Sequence, residues 1–144
     1  MTGKKEFILN VQGYFRDEIR KQFRQTEAIY FVYKGEYLTA EKTCLLKNIL
    51  YIGETDNLYT TFNEHENRKN FIESLKEDEM LFYTFANVHF PPEERKRIVE
   101  ALVYELKPLL NLHGNDSFAY PPTRVVVEGN RHAFIPASID APSY

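Results

Sequence analysis

Tyr30, Tyr51, His65 and Glu100 are side chains whose chemistry and spacing suit the hydrolysis of a phosphodiester. That reaction needs a water aligned with phosphorus, an acceptor for its proton, a cation to offset charge on the nonbridging oxygens, and help for the leaving oxygen. Tyr30 and Tyr51 stand at corresponding ends of two apolar runs, AIYFVY and ILYIG, so pairing of those runs would bring both phenols to one cleft, where they can position the water. His65 can pass a proton, since an unperturbed imidazole titrates near neutrality. Glu100 suffices as the sole protein ligand of Mg²⁺, with Mn²⁺ as the alternative, because such an ion keeps most of its waters and takes further ligands from phosphate. Gly53 either lets backbone approach a ligand or provides a tight exit from its strand. Arg68 and Lys69 are candidate substrate-binding residues. With Arg95, Lys96 and Arg97 they track phosphates only if both clusters border the same cleft, and such clusters are otherwise solvated faces.

Each of these residues also has a structural reading. Tyrosines in strands usually pack their rings in a core with the hydroxyl at its edge. His65 can be a surface histidine near a helix C-terminus, Glu100 a solvated helix residue, and Asn111 a cap for the helix or turn after Pro108. His89, His113 and His132 have no partner spacing that suggests a metal and read as structural or surface residues, and Tyr59, Tyr83 and Tyr104 read as packing.

The elements that must position these residues follow from periodicity. Residues 6–11 (EFILNV) form a short strand candidate, and 16–24 a short amphipathic helix with Ile19 and Phe23 on one face. Residues 28–33 are β-branched and aromatic and should pair with 45–53 as an antiparallel hairpin, with Gly35 as a bend and 40–43 near the tip. After Gly53 the period becomes helical, with Thr55 or Asp56 as N-cap and Leu58, Phe62 and His65 recurring at three and four. A charged segment, 67–79, carries a narrow apolar stripe of Phe71, Ile72 and Leu75. Residues 80–90 (MLFYTFANVHF) make a third strand stopped by Pro91 and Pro92, and 93–106 form the strongest helix, closed by Pro108. The tail from His113 carries Gly114, Asn115, Asp116, Pro121 and Pro122. After them TRVVVEG, a turn at Gly129 and Asn130, and HAFIP suggest one hairpin appended to the core.

Composition narrows the classes. A chain of 144 residues, 43% hydrophobic, has the size of one domain with a real core, 1–144. Its net charge of −3 does not advertise nucleic-acid binding, so phosphate contacts must come from local basic patches. Cys44 is the single cysteine and reads as a small buried hydrophobe. The N-terminus has no apolar signal core and no run reaches membrane-span length, so a cytoplasmic, reducing setting away from the membrane is expected.

The tripeptides AIY at 28–30 and YIG at 51–53 resemble the two signature tripeptides of the GIY-YIG nuclease family, with alanine in place of the first glycine. His65 on the helix after YIG, Glu100 in RKRIVEALVYELKP and Asn111 in the closing PLLN match the same pattern. The resemblance covers about 26–112. It implies an α+β fold: a small core with a central three-stranded antiparallel sheet flanked by helices, preceded by a lead-in (1–25) and followed by an extension with a hairpin (113–144). It also implies a metal-dependent endonuclease acting on DNA, with Tyr30, Tyr51, His65, Glu100 and Asn111 as site residues and Glu100 on the metal. One position departs. The family places an arginine one helical turn before the histidine, and here that position is Thr61, whose hydroxyl cannot clamp a phosphate bidentately. Losing such a donor costs about 10²–10³ in rate. Arg68 lies on the same helical face but two turns away, about 10.5 Å along an axis, and is a poor substitute. A nuclease weakened or inactivated at Thr61, an inactive nucleic-acid-binding module, and an interaction protein that keeps the fold, as a homodimer through the tail, are the three functions in view.

Overall fold

The computed structural model describes residues 3–111, 117–132 and 134–142. Its centre is β2 (Ala28–Leu38), whose first six residues are all buried. Successive side chains of a strand point to opposite faces, so a continuous apolar run such as AIYFVY suits a strand covered on both sides. Ile29, Phe31 and Tyr33 enter one core with Phe82 of β4 (Met80–Asn87) and Ile98 and Leu102 of α3 (Pro92–Leu106). Tyr30 and Val32 enter the other, with Leu50 of β3 (Thr43–Thr55), Leu58 and Phe62 of α1 (Leu58–Glu64), and Phe71 of α2 (Arg68–Glu73).

β2 pairs antiparallel with β3 on one side and β4 on the other, and the β2–β3 turn lies at 39–42 as the hairpin reading requires. Gly35 is not a bend. The strand continues through it with a register shift, and the Leu45 carbonyl lies where a Cβ would stand.

The expectation of a central three-stranded sheet is overturned. The sheet is mixed, curled into a half-barrel and six-stranded, in the order β3-β2-β4-β1-β5-β6. β1 (Lys5–Arg16) is twice the length of the expected strand: its first half pairs parallel with β5 (Thr123–Gly129), and its second half pairs antiparallel with β4 across an irregularity between Gln12 and Phe15. The lead-in and the tail are therefore adjacent strands of the same sheet. Short-range pattern cannot find this pairing, because Lys5 and Thr123 meet across most of the chain. β6 is Ser138–Ala141, paired antiparallel with β5, and not HAFIP. His113, Gly114, Asn115 and Asp116 lie outside the described residues, as does Ala133 within HAFIP.

The smaller elements are shorter than expected. The first helix is a 3₁₀ turn at Asp17–Gln22, and α2 ends at Glu73. The N-cap of α1 is Asn57, whose Oδ1 accepts the Thr60 amide at 3.0 Å; Thr55 instead accepts the amide of Asn57 at 2.9 Å. α3 begins on Pro92 and ends in a left-handed Lys107 cap before Pro108. No helix among the described residues is long and apolar enough to cross a membrane.

Candidate functional site

β3 is an edge strand, and the segment after α3 covers part of its free side. The amides of Leu109 and Leu110 donate to the carbonyls of Ile49 and Leu50 at 3.2 and 2.8 Å. Asn111 continues this pairing with its side chain, accepting the Ile52 amide and donating to the Ile52 carbonyl, both at 2.9 Å. The amide side chain thus acts as a strand peptide. Past Asn111 a cleft of about 200 Å³ opens, lined by Tyr30, Tyr51, Gly53, Glu54, Lys96 and Glu100 among others.

Gly53 is what lets Tyr30 reach this cleft. The two residues are paired across β2 and β3, and a Cβ on Gly53 would lie 2.4 Å from both Cζ and the hydroxyl of Tyr30. The ring of Tyr30 crosses the space a side chain would fill. Its hydroxyl then meets Nε2 of His65 at 2.7 Å, and Tyr51 stands edge-on to the same imidazole with centroids 5.0 Å apart.

His65 terminates α1 in an extended conformation and is not itself helical. Its Nδ1 accepts the backbone amide of Asn67 at 3.0 Å. A backbone amide can only donate, so Nδ1 is unprotonated and the proton of the neutral ring sits on Nε2. Nε2–H therefore donates to the oxygen of Tyr30, leaving the phenolic proton free to point elsewhere. Burial holds the His65 pKa below its ordinary value and keeps the ring neutral, against the opposing pull of Glu66. Burial first, then the neighbouring Tyr51, Glu54 and Glu66, push the phenol of Tyr30 well above the usual tyrosine value. Tyr51 is raised for the same first reason, with Glu66 adding to it.

The opposite wall comes from α3. Glu100 makes no ion pair among the described residues and accepts the hydroxyl of Tyr120 at 3.2 Å. Lys96 lies one helical turn before it and likewise has no ion-pair partner among the described residues. Its neighbours are engaged elsewhere. Arg95 is buried and bonded to Glu54 at 2.8 Å and Glu27 at 3.0 Å, while Arg97 reaches Thr123 of β5 at 2.7 Å. The basic run 95–97 is thus three residues with three separate tasks, one of them in the cleft.

Thr61 points its hydroxyl to that of Thr55, 2.7 Å away, and so helps tie α1 to the end of β3. Arg68 grips Asp17 through both terminal nitrogens, at 2.8 and 2.7 Å, and contacts the Tyr83 hydroxyl. Neither Arg68 nor the exposed Lys69 lines the cleft. Tyr30, Tyr51, Gly53, Glu100 and Asn111 are brought together there, with His65 bonded behind Tyr30. Sequence reasoning missed Glu54, Asn67 and Tyr120, and it named Lys96 only as one of the basic cluster 95–97, which does not share the cleft with Arg68 and Lys69. Lys96 had a signal, its four-residue spacing from Glu100.

An oxygen-binding cation fits this donor set only loosely. Among the described residues no group of three or more His, Cys, Asp and Glu side chains is arranged to hold a metal ion, so Glu100 would be the anchoring carboxylate and water and phosphate the remaining ligands. No family model, curated protein or solved structure matches the chain.

Proposed function

We propose that the cleft at the edge of β3 hydrolyses phosphodiesters in DNA in the manner of the GIY-YIG nucleases that the sequence resembles. One observation carries the reading: two phenols from β2 and β3 and a carboxylate from α3 meet at one small opening, and the imidazole at the end of α1 is bonded behind one of those phenols. β2, β3 and α1 follow one another in the chain, whereas α3 is distant in sequence, and packing alone does not require its carboxylate to face the two phenols.

Tyr30 and Tyr51 would hold the attacking water. The proton on Nε2 of His65 makes the ring a donor to Tyr30, so His65 favours negative charge on the phenolic oxygen and does not remove its proton. The base role accordingly falls to Tyr30 as phenolate. Glu100 would bind Mg²⁺, which when present offsets charge on the phosphate and lowers the energy of the leaving oxygen. Lys96 supplies part of the charge that the arginine position, Thr61, does not. A single ammonium is a weaker clamp than a guanidinium, and slow turnover is expected.

The same departure supports the second reading, a binding module that holds DNA without cutting it: Thr61 is spent on Thr55, and Arg68 on Asp17. Plasmid nicking with Mg²⁺ by the unaltered protein, Tyr30→Phe and Glu100→Gln separates the two. Slow nicking that both variants lose supports the enzyme. Nicking that survives both substitutions contradicts it.

A further inference from the structure

A second cleft, of about 460 Å³, opens on the face of the sheet that carries α1, between β1, the 3₁₀ turn and the end of β4. Its size falls within the usual range of small-molecule sites, roughly 300–1,000 Å³. The floor is aromatic. Phe15 and Phe85 lie nearly parallel with centroids 5.6 Å apart, and Phe23 stands edge-on to both, at 5.4 and 5.6 Å. Phe15 and Phe23 are only half-buried, so ring surface remains accessible from the cleft.

The rim is polar and selective in sign. Gln12, Gln22 and Asn87 bring carboxamides to it, each able to donate and accept. Thr26 occupies the oxygen of Asn87 at 3.1 Å, which leaves its NH₂ group to donate. Arg24 is exposed at the rim, and its guanidinium has no ion-pair partner among the described residues. Its backbone is held in place, because its carbonyl accepts the Tyr59 amide at 3.1 Å. Among the described residues no acidic side chain lines the cleft. In a chain with 21 Asp and Glu against 18 Lys and Arg, an acid-free opening with an uncommitted guanidinium favours an anionic ligand.

We propose that this cleft binds one nucleotide unit, its base against Phe15 and Phe23 with the carboxamides at the base edges, and its phosphate on Arg24. Stacking on aromatic rings together with an arginine–phosphate contact is the usual means of holding an unpaired nucleotide. The proposal does not rest on the chemistry of the Tyr30 cleft. The two openings are nonetheless neighbours: Thr55, Ala28 and Asn87 are in register across β3, β2 and β4, so the walls at Glu54 and Asn87 are about two strand spacings, or ~10 Å, apart.

Titration calorimetry without added metal tests it, with deoxynucleoside monophosphates, the matching nucleosides, inorganic phosphate and a short single-stranded oligonucleotide as ligands. Monophosphates should bind, nucleosides should bind roughly tenfold more weakly or worse, and inorganic phosphate should not register. Arg24→Glu should lose monophosphate binding while keeping its thermal midpoint, since the side chain is exposed and unpaired. Oligonucleotide binding that a monophosphate competes away also supports the site and identifies a chain-borne nucleotide as its source. Nucleosides binding as tightly as monophosphates, Arg24→Glu binding unchanged, or no saturation by any monophosphate or the oligonucleotide would overturn the proposal.

Discussion

Gly53 and His65 set the state of the Tyr30 oxygen, one by absence of bulk and the other by hydrogen bonding. In Gly53→Ala the added methyl must displace the Tyr30 phenol, and overpacking of this kind costs about 1–3 kcal/mol, measurable by urea denaturation. The same variant should lose the Tyr30–His65 bond. At pH 7 the ¹⁵N spectrum of His65 should show a protonated Nε2 and a bare Nδ1, with a titration below the ordinary histidine range. The opposite tautomer would remove the donor role assigned to this ring. The linkage sign follows from the lowered pKa: neutral His65 adds stability above the unfolded-state pKa of about 6.5, and this is lost as pH falls through the folded value. For catalysis the sign comes from Tyr30. Its raised pKa leaves little phenolate at neutral pH, so a rate limited by that form should climb roughly tenfold per pH unit over pH 6–8. At this scale the sequence was informative about type and silent about orientation. Two tyrosines at matching strand ends are legible as a pair, whereas Asn67 acts through its backbone, which any residue but proline carries.

Among the elements, the 3₁₀ turn, α2 and β4 are joined through Asp17, which accepts hydrogen bonds from Arg68 and from the hydroxyl of Tyr83. Burial pushes the Asp17 carboxyl up, but these bonds and the nearby arginines outweigh it and hold it below the usual range. Its stabilising effect is therefore complete above the unfolded carboxylate pKa and is lost as pH falls through the folded one. Asp17→Asn should cost about 1.5–3 kcal/mol near neutrality and less in acid, as unfolding curves at two pH values would record. Local elements were read well wherever a local cause existed. The strands expected at 28–33, 45–53 and 80–90 and the helix at 93–106 fall on Ala28–Leu38, Thr43–Thr55, Met80–Asn87 and Pro92–Leu106. β-branched and aromatic runs and a proline start are local causes, although the first strand runs on through polar residues read as loop. α2 was drawn too long because its charged continuation has helical composition but only a narrow apolar stripe to bury. Arg68 read as a surface cation for the complementary reason: its partner, Asp17, lies on a distant element.

The whole molecule depends on β1, which joins the antiparallel half of the sheet to β5 and β6. Parallel pairing across most of the chain leaves no mark at hairpin range, and the tail consequently resembled an appendage. A chain truncated after residue 122 exposes the β5-facing edge of β1 and uncovers Leu9 and Val11, both buried. It should fail to give a cooperative unfolding transition by circular dichroism, where an appended hairpin would leave the core folded. The same assembly brings α3 against the sheet and so sets Glu100 and Lys96 opposite Tyr30 and Tyr51. The most direct test of that juxtaposition as a phosphodiester-cleaving site is the nicking rate of Thr61→Arg beside the unaltered protein, with Mg²⁺ and verified folding. Thr61 is bonded to Thr55, one residue past Glu54 of the cleft wall, and the account requires the longer side chain of an arginine to extend from there to a bound phosphate. The account predicts a gain of about 10²–10³ that Glu100→Gln abolishes; a folded Thr61→Arg protein that nicks no faster than background would contradict it.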